Sequence, residues 1–147
     1  LNLVIVGDGP LMGDLKKQVR DLNLKDKVFF VGFKSNPYPY IKESEFFVNT
    51  SNFESFCIVI LEALSLGKMV IASDCKSGPS EMITHNFNGF LFETKNESQL
   101  INLLDQTYED DQMIIDKERN SIQSVEKFKL ENLIFEYIEL IENLTNT

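Results

Sequence analysis

Short apolar runs alternate with longer segments of helical spacing over the first two-thirds of the chain. Five of these runs have the length and composition of buried strands, at 1–6, 27–33, 45–51, 69–74 and 88–93. Helical spacing occupies the intervals 11–22, 40–45 and 55–66. Gly78-Pro79-Ser80 predicts the start of a further short helix, with Glu81 in its first turn. From Ser98 onward only helical patterns remain, and they end in an apolar stripe from Leu130 to Leu144.

Strands that are apolar along their whole length are typical of parallel sheets, which carry helices on both faces. Their alternation with helices predicts an α/β fold, a doubly wound, Rossmann-like parallel sheet with a helical C-terminal tail. No linker or internal repeat divides the sequence, so residues 1–147 are predicted to form a single domain. Ligands bind at the carboxyl ends of the strands in such sheets, and we expect any site in the turns that follow them.

The charge balance narrows the classes of partner. A formal net charge of −9 argues against a nucleic-acid groove and against direct contact of this domain with an anionic membrane. The longest apolar runs are far shorter than a membrane span. Cys57 and Cys75 are 18 positions apart without a CxxC pattern, which favours two reduced thiols in the cytoplasm over a disulfide or a zinc site. A small anionic ligand is still compatible with the charge, because helix N-termini bind phosphate through backbone amides.

The first strand is followed by Gly7-Asp8-Gly9, which invites comparison with a dinucleotide-binding turn. The fingerprint GxGxxG needs its third glycine at position 12, where this chain has Met12, and Gly13 comes one residue late. The second strand ends in Gly32-Phe33-Lys34 instead of an acid for the ribose. We therefore predict a tight turn at these glycines and no NAD site.

The stretch FESFCIVILE (53–62) carries two acids, Glu54 and Glu62, with seven residues between them. If the helix begins near Ser55, Glu54 lies in the loop before it and Glu62 lies two turns in, about 80° around from Glu54. The amides of Phe56, Cys57 and Ile58 would be the unpaired donors of the first turn and would offer an anion site between the two carboxylates. This order suits a ligand with hydroxyls at both ends and phosphate in the middle, as in a nucleotide sugar.

A purely structural interpretation fits the same two acids. Glu54 would then cap the helix, and Glu62 would be a solvated residue on the helix surface. Spacing alone does not decide between the two interpretations.

The stretch resembles the E-x7-E motif of the retaining family-4 glycosyltransferases, which have a GT-B fold of two facing Rossmann-like domains. The resemblance covers about two-thirds of the chain, in family order and spacing. Its segments are VIVGDGP (4–10), KVFFVGF (27–33), FFVNTSNFESFCIVILEALSLGK (46–68), MVIASDCKSGPSEMI (69–83) and NGFLF (88–92).

The resemblance implies a role for each matching position. Glu54, the candidate catalytic residue, would hydrogen-bond hydroxyls of the donor sugar, and Glu62 would bind the ribose. The amides that follow Glu54 would meet the diphosphate and the sugar, from Phe56 through Cys57 and Ile58 to Val59. The turn Gly32, Phe33 and Lys34 would lie beside the nucleotide base. Gly78 and Glu81 would border the sugar end of the cleft.

Two departures and one absence qualify the resemblance. Met69 stands where the family usually has proline before the fourth strand, and only packing is expected to change there. The family usually has glycine where this chain has Cys57, and the added side chain is expected to narrow donor choice or weaken binding. A catalytic thiol is not expected there, because no neighbouring His or Lys would lower its pKa. His85, the single histidine, is expected at the surface. The chain starts in a core strand without Met, so we expect an excised domain; the family's diphosphate-neutralising Arg and Lys would precede Leu1, and the acceptor domain would be absent.

The sequence thus predicts the C-terminal donor-binding domain of a retaining GT-B glycosyltransferase. The parent enzyme would move a sugar from a UDP- or GDP-sugar to a glycan or lipid-linked acceptor, without metal or other cofactor, in the cytoplasm or at the inner membrane face. SDCKSGPSE (73–81) resembles transferases of bacterial surface polysaccharides. Two alternatives remain: a nucleotide-binding module that does not turn over alone, and a generic flavodoxin-like regulatory domain.

Overall fold

The computed structural model describes residues 1–145, in which strands and helices alternate. The strands are β1 (Leu3–Val6), β2 (Val28–Gly32), β3 (Phe46–Asn49), β4 (Met69–Ser73) and β5 (Gly89–Phe92). The helices are α1 (Met12–Asp21), α2 (Tyr38–Glu43), α3 (Ile58–Ser65), α4 (Pro79–Met82), α5 (Glu97–Glu109), α6 (Asp111–Ser124) and α7 (Leu130–Thr145). A 3₁₀ helix, Glu126–Phe128, connects α6 to α7. The α/β class with parallel strands and a helical tail is therefore confirmed.

The described residues form two compact units, of which Leu1–Glu43 is the first. In this unit β1 pairs in parallel with β2, with Leu3 opposite Val28. Gly7 ends β1 at φ +137°, and its N–H donates to the carbonyl of Gly32 at 2.9 Å. Only glycine adopts such a backbone without strain, so the prediction of a tight turn at this position is confirmed.

The second unit begins at Ser44 and is built on a three-stranded parallel sheet in the order β3-β4-β5. All five residues of the central strand β4 are buried, as expected for a strand with neighbours on both edges. Met69 and Ile71 of β4 pack with Phe90 and Phe92 of β5 and with Leu103 of α5. This core holds the ends of β3 and β4 in place.

The start of α3 differs from the sequence prediction. The helix begins at Ile58 and not near Ser55, because Cys57 has a left-handed backbone with φ 62° and ψ 60°. A residue in that conformation cannot continue a right-handed helix. Phe56 and Cys57 therefore precede α3, and their amides are not the first-turn donors that the sequence prediction assigned to them.

The predicted C-terminal helix is present as α7, but its apolar stripe does not enter the core. Leu130, Ile134, Ile138 and Ile141 are all exposed, as are the other described residues of the helix apart from the half-buried Leu133. Within residues 1–145, no helix has both the length and the apolar character that crossing a membrane requires.

Candidate functional site

The carboxyl ends of β3 and β4 lie side by side, with Asn49 opposite Ala72. The loop 50–57 leaves β3 and carries Glu54 at its middle. Ser73, at the end of β4, is buried and donates its hydroxyl hydrogen bond to the carbonyl of Ser51 at 2.5 Å. The loop that bears Glu54 is therefore fixed to the end of the central strand, at the edge where parallel sheets bind ligands.

Glu54 is half-buried and accepts a hydrogen bond from the Ser51 hydroxyl at 2.6 Å, measured to Oε1. The residue at the N-cap of α3 is Cys57, and no side chain caps the helix there. Glu54 is thus not the capping acid of the structural interpretation. Its carboxylate has one oxygen held by Ser51, a geometry that orients it for a second polar contact.

Cys57 connects the loop to α3 through its left-handed backbone. The side chain is only 6% exposed, and Sγ accepts from Nδ2 of Asn49 at 3.4 Å. Burial, and then the negative charge of Glu54, raise the pKa of Cys57 to about 11. The thiol is therefore protonated at neutral pH, which agrees with the expectation that it is not a nucleophile.

The left-handed conformation would explain a glycine at this position, as the resemblance implies for the family. Glycine adopts φ near +60° without steric strain, whereas the same conformation destabilises the fold by about 1–2 kcal/mol for a residue with a Cβ. This chain keeps the conformation and adds a buried thiol.

The first turn of α3 contains the amides of Ile58 and Val59, which have no acceptor within the helix because they precede its first hydrogen-bonded turn. The amide of Ile60 already donates to the carbonyl of Cys57 at 2.9 Å. Ile58 is 65% exposed, while Val59 is half-buried. Unpaired amides at a helix N-terminus favour an anion.

Glu62 lies four residues after Ile58, one turn along the same face of α3. Its side chain is half-buried, unlike a freely solvated surface residue. The structure therefore orders the elements as predicted, with one carboxylate before the helix, amides in its first turn and a second carboxylate after them. Because α3 starts later than predicted, Glu62 lies about one turn from the N-terminus of the helix instead of two.

The loop after β4 contacts the loop 50–57. Gly78 has φ +90°, and a Cβ on it would lie 2.9 Å from the carbonyl oxygen of Phe56. The Ser77 hydroxyl lies 2.6 Å from the carbonyl oxygen of Lys76 and 3.3 Å from that of Glu54, so the shorter bond is to its own neighbour and the longer one reaches the Glu54 loop. Glu81 is exposed and accepts from the Gly78 amide at 3.1 Å through Oε1. Gly78 thus lies against the loop 50–57, and Glu81 is held beside Gly78, while binding of the sugar by either residue stays a prediction.

Gly32, Phe33 and Lys34 belong to the first unit. Gly32 has φ +70°, and Phe33 is 77% exposed. The Lys34 ammonium lies 5.9 Å from the centre of the Tyr40 ring. An exposed aromatic ring after a strand end is compatible with contact to a base, and this assignment also stays a prediction.

Asn49 is the residue of this site that sequence reasoning missed. It ends the apolar strand β3, is 9% exposed, and bonds both Ser51 and Cys57. The available signal was an amide at the last position of the apolar run FFVN (46–49).

His85 is exposed, as predicted, and its Nδ1 accepts a hydrogen bond from the backbone amide of Leu91 at 3.1 Å.

The chain matches the family model described as "Glycosyl transferases group 1" over residues 1–128. It is 39% identical over 113 residues to a Campylobacter jejuni protein, N-acetylgalactosamine-N,N'-diacetylbacillosaminyl-diphospho-undecaprenol 4-alpha-N-acetylgalactosaminyltransferase. That match covers 77% of this chain and 31% of the relative. It is also 32% identical over 106 residues to the lipopolysaccharide 1,6-galactosyltransferase of Escherichia coli, covering 69% of this chain and 30% of the relative.

Solved structures show the same fold. HepE from Anabaena in complex with UDP superposes with a TM-score of 0.82 at 27% identity, over 100% of this chain and 41% of that protein. TarM superposes with a TM-score of 0.88 at 26% identity, over 95% of this chain and 28% of that protein. The chain thus spans less than half the length of each of these four relatives. On the family match, which covers most of its residues, this chain belongs to the group 1 glycosyltransferases.

Proposed function

We propose that this chain binds the nucleotide-sugar donor of a retaining family-4 glycosyltransferase with a GT-B fold. The observation that carries the proposal is the arrangement around α3: Glu54 in the preceding loop, the first-turn amides of Ile58 and Val59, and Glu62 one turn further. Glu54 would hold hydroxyls of the sugar, the amides would bind the diphosphate, and Glu62 would bind the ribose. Membership of the glycosyltransferase family favours this assignment over a flavodoxin-like regulator.

The proposed chemistry places the leaving diphosphate against the amides of α3. Negative charge that develops on the diphosphate during transfer would be stabilised by these preorganised donors. The acceptor would approach on the same face, so that the sugar keeps its anomeric configuration. Charge stabilisation in this scheme comes from backbone amides and from basic residues elsewhere in the enzyme, and no metal ion takes part.

UDP is the donor nucleotide that the comparisons favour, because HepE was solved with UDP and with UDP-glucose. GDP is the alternative that the site does not exclude. The named relatives act on a diphospho-undecaprenol-linked sugar and on lipopolysaccharide. We propose the same class for the whole enzyme, transfer to a glycan or lipid-linked acceptor in the synthesis of a bacterial surface polysaccharide at the cytoplasmic side of the membrane.

Calorimetric titration with UDP and with GDP tests the donor site. We expect one of the two to bind the wild-type chain. Glu62→Ala should lower its affinity at least tenfold, because hydrogen bonds to a charged group contribute about 1.5–3 kcal/mol. Glu139→Ala, which removes an exposed acid of α7, is the matched control and should bind like the wild type. Equal affinity of wild type and Glu62→Ala would remove Glu62 from the site, and no binding by the wild type would contradict the proposal for this chain.

A binding module without turnover is the second candidate, since the chain spans 31% of the Campylobacter relative. Sugar transfer or donor hydrolysis is then expected to be absent from this chain alone even when nucleotide binds. An assay with radiolabelled UDP-sugar decides the point, because measurable turnover by residues 1–147 would contradict this candidate.

A further inference from the structure

Asn49 has a buried side chain whose polar atoms are both engaged. Oδ1 accepts from the amide of Ser51 at 3.1 Å, and Nδ2 donates to Sγ of Cys57 at 3.4 Å. The orientation of the amide is settled by its first partner, because an N–H donor requires the oxygen and not the nitrogen. A buried amide that lost these partners would pay a desolvation cost, so the two contacts are coupled to the packing of the site.

The two partners of Asn49 lie at opposite ends of one loop. Ser51 stands near its start and Cys57 at its end, and Glu54 lies between them. The contact to Ser51 is a local turn in which a side-chain oxygen binds the amide two residues on. The contact to Cys57 spans eight residues and joins the same side chain to the residue that immediately precedes α3. One side chain therefore fixes both the entry and the exit of the loop.

Each of the two residues that Asn49 contacts is connected to a group that we propose binds the nucleotide sugar. Ser51 passes the constraint to Glu54 through its hydroxyl, at 2.6 Å from Oε1. Cys57 passes it to the amides of Ile58 and Val59, because its backbone sets the direction in which α3 begins. The charge of Glu54 also contributes, after burial, to the raised pKa of Cys57. Sulfur is a weak acceptor, so the contact serves geometry more than stability.

We propose that Asn49 is a positioning residue of the donor site, which holds Glu54 and the first-turn amides of α3 in register for the diphosphate and sugar. The inference rests on the proposed function and adds to it a residue that touches no part of the donor. Asn49 acts through Ser51 and Cys57. Its loss is therefore expected to weaken contacts to the β-phosphate and sugar and to spare those that Glu62 makes to the ribose.

The test compares UMP, UDP and UDP-glucose by calorimetry on wild type, Asn49→Ala and Asn49→Ser, with the guanosine series if GDP is the nucleotide that binds. We expect both variants to lower the ratio of UDP to UMP affinity about fivefold, because displaced first-turn amides of α3 would lose the equivalent of about one net hydrogen bond to the β-phosphate. Serine can still bind the Ser51 amide in the same local turn but is too short to reach Cys57, so Asn49→Ser is the variant that keeps the fold.

Asn88→Ala is the matched control. Asn88 is a fully buried asparagine of the same unit, and its side chain bonds Met82, Thr84 and Ser124, none of which is a proposed donor contact. Its loss should reduce the free energy of unfolding at least as much and leave the UDP to UMP ratio unchanged. A ratio equal to wild type in Asn49→Ser would overturn the proposal, as would an equal change of the ratio in Asn88→Ala. Absence of nucleotide binding by the wild type, by contrast, would count against the proposed function itself.

Discussion

The hydroxyl of Ser51 lies 2.6 Å from Oε1 of Glu54 and donates a hydrogen bond to it. The pair is three residues apart in one loop, and Ser51 is in turn fixed to the end of β4 by Ser73. Glu54 is thus not a free carboxylate on a surface loop. Its direction is set by a short chain of contacts that begins in the buried central strand.

Removing the Ser51 hydroxyl should affect the sugar more than the nucleotide. In Ser51→Ala we expect the affinity for UDP-glucose to fall about fivefold, because an oriented carboxylate loses one net hydrogen bond of about 1 kcal/mol. The affinity for UDP should stay within twofold of the wild type. Titration of both ligands measures the difference, with Ser98→Ala, an exposed serine of α5, as the control. A parallel loss of UDP and UDP-glucose affinity would show that Ser51 does not act on a sugar contact.

Gly78 is the position where a side chain is least tolerable near the site. Gly78→Ala places a Cβ 2.9 Å from the Phe56 carbonyl oxygen at φ +90°, where L residues are strained. We expect the free energy of unfolding to fall by about 2–4 kcal/mol, since steric overlap and a strained backbone both contribute. Urea denaturation measures the change. Ser80→Ala, an exposed position two residues on, should change it by less than about 0.5 kcal/mol.

The Cys57 thiol should titrate far above an ordinary cysteine. In a Cys75→Ala background, the rate of alkylation by iodoacetamide should rise about tenfold per pH unit from pH 7 to 10, because only the thiolate reacts. The rise follows from the pKa of Cys57, which burial and the charge of Glu54 raise to about 11. Glu54→Gln removes one of these causes and should make alkylation at pH 8 faster. A plateau near pH 9 would contradict the raised pKa, whatever the absolute rate.

Lys117 predicts a dependence of stability on alkaline pH. Its side chain is 6% exposed, and Nζ donates to the carbonyl and to Oδ1 of Asn86 at 3.0 and 3.2 Å. Burial lowers the pKa of Lys117 from its ordinary 10.5. Just below pH 10.5, Lys117 is therefore protonated more often in the unfolded chain than in the folded chain. The contribution of Lys117 to the free energy of unfolding consequently rises as the pH approaches that value.

Urea denaturation at pH 8, 9 and 10 checks this sign. The free energy of unfolding of the wild type should increase relative to Lys117→Met as the pH rises. Lys76→Met removes an exposed lysine and supplies the baseline for the loss of one charge. A difference between wild type and Lys117→Met that is independent of pH, or that shrinks toward pH 10, would be inconsistent with the lowered pKa.

The fold class could be predicted because its determinants are local. The apolar runs that became β3, β4 and β5 are short and bounded by turn residues, and Gly67 follows α3 as expected of a helix C-terminus. Each boundary was placed to within about three residues from neighbours in the sequence, which is the usual precision of such assignments. The division of the strands into a pair and a triplet was not predicted, since strand order depends on contacts between distant segments.

The sequence singled out the two acids of the candidate site, whose role in donor binding stays a prediction, but it did not reveal the residue that holds the loop around Glu54. Glu54 and Glu62 were singled out because the number of residues between them can be read from the sequence and converted to a position around a helix. Asn49 was missed because its hydrogen bond to Cys57 depends on how the intervening loop folds. The sequence spacing of the two residues does not predict that loop conformation. The start of α3 was predicted too early because the left-handed backbone of Cys57 delays the helix. A positive φ is rare in residues other than glycine, and the residue types in FESFC (53–57) do not predict one.

Gly78 passes so close to Phe56 that a Cβ on it would lie 2.9 Å from the Phe56 carbonyl oxygen, and the Ser77 hydroxyl lies 3.3 Å from the carbonyl of Glu54. Two loops that are far apart in sequence are therefore packed against each other. For protein engineering this makes them a single cassette. If residues 50–57 were replaced by the corresponding loop of a relative, the new loop would have evolved to pack against the relative's own 74–78 turn and not against the one in this chain. Residues 74–78 should therefore be exchanged in the same step, and combinatorial libraries that vary one loop alone will sample mostly misfitted pairs.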